Sequence, residues 1–238
     1  MKIIFDEYVW KARILVGMLV VLPVLVITPW VARELPWAYP PFLTGAVFVG
    51  AIYTLMASLV REMGVRAERQ LLKCWGGFPS TILMRWRDDT RSQEWKGRQH
   101  EMVFAKLGIR LMTPDEEAKN PSEADKRIED AFGRVKNSIW GKSSLPTHAD
   151  SMDYGFARNL YGCRWAWLAL CGIGAITVTL GARVLQRPMP FRELVLELLL
   201  SVAVAVIEWG FLKSHVRHCA FRYAEHAWDA VADLPERK

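Results

Sequence analysis

From residue 35 to residue 60 the chain carries no charged side chain, with Arg33-Glu34 just before the stretch and Arg61-Glu62 just after it. A bilayer core about 30 Å thick needs about 20 apolar residues of helix to cross it. Pro40 and Pro41 suit a helix start, so the spanning part is expected at residues 42–60. Three further apolar runs lie at 14–32, 165–182 and 194–212. Four such runs weigh against the buried helix of a soluble protein. Charged residues make up 24% of the chain, yet they are segregated from the apolar runs in blocks.

The run at 14–32 is longer than a signal-peptide core, and no A-x-A cleavage site follows it. It reads as an uncleaved span, bent where Pro23 removes a backbone hydrogen bond. The mixed segment before it is expected to lie on the membrane, with Ile4, Tyr8 and Val9 on one face. The link at 33–41 is short, so the first two spans form a hairpin. The second helix is expected to continue past the membrane as a stalk through REMGVRAERQLLKCW. Gly76-Gly77 and Pro79 are turn chemistry, and Ser80 or Thr81 is a candidate cap for a short helix ILMRW.

Residues 93–107 read as a helix stopped by Gly108. Thr113-Pro114 followed by Asp115, Glu116 and Glu117 is a helix start, and Asn120-Pro121 repeats it. That last helix should run to about Trp140 with Ala124, Ile128, Phe132, Val135 and Ile139 buried. After a loop, Asp150 or Ser151 should start the helix that re-enters the membrane, where Gly172 and Gly174 permit close helix contact.

The expected fold class is an all-α polytopic membrane protein: two transmembrane helical hairpins with a cytosolic helical insert domain. Its parts are an interfacial segment (1–13), a first hairpin (14–60), the insert (61–164), a second hairpin (165–212) and a cytosolic helical tail (213–238). The net charge of +6 is read as cytoplasmic Lys and Arg, and the 11 Trp suit interfacial belts. Arg61, Arg66, Arg69, Lys73, Arg158 and Arg164 flank the insert's membrane ends. Both termini and the insert are therefore expected inside. The four cysteines form no CxxC pair, which fits a reducing side better than a disulfide framework.

Two constellations could carry chemistry. Glu197 and Glu208 stand near three turns apart in the fourth run, with Ser201 between them. Intramembrane acids are functional candidates, here as pore-lining groups favouring cations; reaching toward headgroups is the plainer explanation. In the insert, Lys73, Trp75, Arg85, Trp86, Arg87 and Asp88 mix arginines with aromatic rings, as phosphate and base recognition requires. A tryptophan core with arginines paired to acids or lipid is the competing structural explanation. His215, His218 and Cys219 lack the second pair a metal site needs, and no catalytic set stands out. No enzyme, cofactor, metal or nucleic-acid polymer is expected.

Trp75-Gly76-Gly77-Phe78-Pro79-Ser80-Thr81 with Arg85 and Asp88, then Thr113-Pro114, then Asn120-Pro121 with Asp125, then Tyr154-Gly155-Phe156-Ala157-Arg158-Asn159-Leu160 form a series. The series resembles one found in bacterial membrane proteins. The layout resembles four-transmembrane effectors that accompany cyclic-oligonucleotide synthases in anti-phage defence. The resemblance implies a homo-oligomeric inner-membrane switch. A cyclic oligonucleotide would bind the insert, and the helices, in contact with membrane lipids, would then permeabilise the membrane. It implies Arg85, Asp88, Arg158 and Asn159 as ligand contacts; Ala157 stands where a second basic residue is expected. Alternatives are a constitutive channel or transporter using Glu197, Ser201 and Glu208, and a scaffold recruiting a cytosolic partner.

Overall fold

A computed structural model describes residues 7–34, 46–139, 146–186 and 190–234. Among these residues every regular element is helical. In order they are α1 (Glu7–Val20) and α2 (Leu22–Glu34), α3 (Ala46–Trp75), α4 (Pro79–Met84) and α5 (Gln93–Leu107). Then come α6 (Pro114–Lys119), α7 (Pro121–Ile139), α8 (Pro146–Val184) and α9 (Phe191–Asp229). Two of them contain a π turn, Trp10–Ile14 in α1 and Glu208–Leu212 in α9.

By length and composition α8 and α9 can each cross a membrane. Glu7–Val20 and Leu22–Thr28 qualify together as a third, bent by 46°. Pro23 accounts for the bend: it offers no N–H to the helix, and Val24 N–H donates to Val21 O at 3.0 Å instead. The charge-free stretch at 35–60 begins outside the described residues, which resume at Ala46 with α3. Ile4, Trp140, most of the 141–148 loop and part of the 183–193 link also lie outside them.

The chain divides into two compact units. Unit 1 holds residues 1–68 and 155–216; unit 2 holds 69–154 and 217–238. Helices α3, α8 and α9 each contribute residues to both.

Unit 1 is helix on helix. Ile27 and Trp30 of α2 pack with Val178 and Ala182 of α8. Gly181 makes that contact close: a Cβ there would stand 2.5 Å from the Trp30 ring. Apolar side chains also face outward, among them Leu55, Ile173, Ile176, Leu198 and Val206. Such a surface is costly in water and suited to lipid.

Unit 2 has a conventional core. Ala124, Ile128, Val135 and Ile139 of α7 are buried at helical spacing, as the periodicity predicts, while Phe132 is partly buried. Ile128, Val135 and Ile139, with Phe132 against them, meet Leu83, Met84, Val103 and a stripe of the C-terminal segment, Ala224, Ala227, Trp228 and Val231. Trp228 is fully buried and donates to Ser80 O at 3.0 Å. His226 and Arg222 reach Asp150 and Asp153 at 2.5 and 2.7 Å. The segment set apart by sequence as a tail thus supplies the centre of this unit.

Local signals explain the element ends. Ser92 caps α5 and Gly108, in the left-handed region at φ 68°, ends it. Thr113 and Glu116 form a reciprocal capping box on α6. Two starts differ from expectation. Helix α4 begins at Pro79 after Phe78, with no side-chain cap, since Ser80 and Thr81 are inside the helix and buried. Helix α8 begins at Pro146, where proline suits the first position, upstream of Asp150.

Candidate functional site

The polar centre of unit 2 is built on the turn between α3 and α4. Gly76 and Gly77 hold φ of 82° and 140°, values that side chains resist. Gly77 N–H closes the end of α3 on Leu72 O at 3.0 Å. A Cβ on Gly77 would also come within 2.5 Å of the Arg85 guanidinium. That guanidinium is buried beside the turn: both terminal nitrogens donate to Gly76 O at 3.0 Å. Its Nε and Nη2 form a fork on Asp125 of α7 at 2.9 and 3.1 Å, and Asp88 lies at 3.4 Å. Arg85 therefore staples the glycine turn to α7.

Arg87 completes the network. It donates to both oxygens of Asp125 at 2.7 and 2.8 Å and to Glu117 at 2.9 Å. Glu117, almost fully buried, also accepts from the backbone N–H of Trp86 and Arg87. Asp115, Glu116 and Glu117 all stand in the first turn of α6, as a helix start predicts; Glu116 completes the capping box, whereas Glu117 turns inward. The neighbours are sealed. Trp86 donates to Met112 O at 2.8 Å, and its ring meets His100 at 4.6 Å. Burial holds the His100 pKa below its usual value, against the pull of a hydrogen bond with Met84 O. Lys96 is buried on Asp88 O, and burial lowers its pKa against the attraction of Asp88, Glu117 and Asp89.

Two arginines thus meet three carboxylates. The Arg87 side chain is 37% exposed and that of Arg85 10%. Arg87, which sequence reasoning placed in the cluster but not among the ligand contacts, is the guanidinium that a solute reaches first.

Arg158 and Asn159 lie in unit 1, whereas Arg85 and Asp88 lie in unit 2. Asn159 is fully buried. Its amide donates to Ala12 O at 2.7 Å, on the π turn of α1, and its Oδ1 accepts from Arg158 at 3.3 Å. Arg158 also reaches Glu68 of α3 at 3.1 Å. Gly64 leaves room for this amide, because a Cβ there would stand 1.9 Å from Asn159 Oδ1. Gly162 faces the backbone of Met63 and Gly64, where a Cβ would come within 2.6 Å. The pair locks three helices together.

The acids of α9 are turned inward. Glu197 lies against Gly174 of α8, and Ser201 donates to the Glu197 backbone carbonyl at 2.7 Å. Glu208 opens the π turn. Among the described residues no group of three or more His, Cys, Asp or Glu is placed to hold a metal.

No protein-family model, curated protein or solved structure matches the chain.

Proposed function

We propose that this chain is a bacterial inner-membrane effector, with the insert and both termini cytoplasmic. A nucleotide second messenger would gate it, and it would permeabilise the membrane as a homo-oligomer. The observation that carries the reading is the sharing of α3, α8 and α9 between an apolar unit suited to lipid and a polar unit with an arginine–carboxylate network. A change in that network acts on helices that also build the apolar unit.

The charge balance suggests how a ligand would act. A phosphate competes with Asp125 and Glu117 for the Arg87 fork, since guanidinium binds both groups in the same bidentate geometry. Phosphate on Arg87 takes that guanidinium from Asp125 and Glu117 and leaves Asp125 to the Arg85 fork alone, which weakens the tie between the glycine turn and α7. Arg85 and Asp88 are then the proposed ligand contacts of unit 2.

Proteoliposomes loaded with dye and exposed to a panel of cyclic di- and trinucleotides test this reading. The expected result is release with one ligand class, abolished in Arg87→Ala. That variant also leaves the buried Glu117 carboxylate without its ion pair, so its melting temperature falls. Arg87→Lys, which keeps the charge but not the fork, separates loss of binding from loss of stability. Release without any nucleotide, lost in Glu208→Gln, supports the second reading of a constitutive cation channel. The paired inward acids of α9 favour that alternative, and it requires their face to line a path in the assembled protein.

A further inference from the structure

Glu197 and Glu208 have no role in either network described above. They are 0% and 4% exposed, and among the described residues none donates a hydrogen bond to any of their four carboxyl oxygens. Eleven residues of α-helix return to within about 20° of the same face and advance about 16 Å, so the two acids stand one above the other. Each acid meets residues of α8. Gly174 leaves space for Glu197: a Cβ there would be 2.9 Å from its Oε1. Cys171 is the titratable side chain of α8 that interacts with Glu197. Helix α2 also packs on α9, and it has no titratable residue between Leu22 and Trp30.

Glu208 interacts with Cys163 and Arg164 of α8. Arg164 is otherwise engaged: its guanidinium lies 4.0 Å over the Tyr161 ring and donates to Tyr161 O at 2.7 Å. The π turn that begins at Glu208 is a second, independent mark, since such widened turns inside a helix recur at functional positions.

A carboxylate buried between helices with no donor among the described residues is far costlier than an apolar side chain of the same size. The charge of Arg164 offsets part of that cost at Glu208 but makes no hydrogen bond to it. We propose that Glu197 and Glu208 are two cation-binding stations on the α8–α9 seam. Each takes up one positive charge, delivered as a proton or as a small alkali-metal cation. The stations stand whether or not a nucleotide gates the protein; they need only α9 to lie in the bilayer.

Infrared difference spectroscopy of the full chain in liposomes of bacterial phospholipid tests this. The arms are buffer free of sodium and potassium, the same buffer with sodium chloride, and the same with potassium chloride. Proton binding gives a protonated-acid carbonyl band in the salt-free buffer at neutral pH, reduced by about half in Glu197→Gln or Glu208→Gln and lost in the double variant. Alkali-cation binding gives carboxylate bands that shift with one of the salts, the shift disappearing in the same variants. Should a glutamine variant fail to fold, Glu197→Asp and Glu208→Asp keep the carboxyl and assign the band by its displacement. The proposal is overturned if both acids absorb as carboxylates, insensitive to either salt and titrating with the bulk like exposed glutamates.

Discussion

Single residues decide where each unit can be damaged. Trp228 fills the centre of unit 2 and its indole N–H is committed to Ser80 O. Trp228→Ala should destabilise the protein by about 3–5 kcal/mol, the usual range for a buried large-to-small change. Gly64→Ala attacks unit 1, because the added methyl meets the Asn159 amide. The expected loss is about 1–3 kcal/mol from overpacking. Thermal melts in detergent read both; an unchanged melting temperature in either variant contradicts the packing described. His100 sets a pH dependence. Its folded pKa is depressed below 6.5, so the folded state binds fewer protons than the unfolded one below that pH. The stability it contributes is present above about pH 6.5 and is lost as the pH falls toward the folded value. Glu129 has the opposite sign: burial and the charge of Asp125 raise its pKa, so its contribution is lost as the pH rises through the folded value. Melting temperatures measured between about pH 7.5 and 5.5 should fall less in His100→Gln than in the parent protein. Equal slopes would show that His100 is not the group responsible.

At the scale of elements the caps are the cheapest test. Thr113→Ala removes one half of the capping box on α6 and should cost about 1 kcal/mol. A shift of that size in the thermal melt is the expected result, and no shift would show that Pro114 alone sets the start. Helix ends were the most legible part of the sequence because their signals are local: Gly108, Thr113-Pro114, Asn120-Pro121 and the bend at Pro23. The buried stripe of α7 was legible for the same reason. The C-terminal stripe Ala224, Ala227, Trp228 and Val231 has equal periodicity, but a chain that reads as a tail hides the partner it packs on. The site was less legible. Arginines beside tryptophans could be recognised as a cluster. That Arg85 is spent on Asp125 and Gly76 depends on a pairing forty residues apart in sequence, which no local pattern encodes. The same holds for Asn159, whose partner Ala12 sits 147 residues away. Helical arithmetic puts the acids of α9 on one face, while the direction of that face depends on α8.

For the whole molecule the consequential claim is that α8 and α9 cross a bilayer as a hairpin, leaving unit 2 on the cytoplasmic side. The native cysteines suit a direct test, because Cys74 is exposed and the other three are buried. Gln186, just past the end of α8, is exposed and provides the opposite side. Labelling with a membrane-impermeant maleimide in intact spheroplasts, before and after lysis, compares the two positions. The account predicts that Cys74 reacts only after lysis, and that a cysteine introduced by Gln186→Cys reacts in the intact cells. Labelling of Cys74 from outside, protection of position 186 until lysis, or recovery of the protein in the soluble fraction would contradict it.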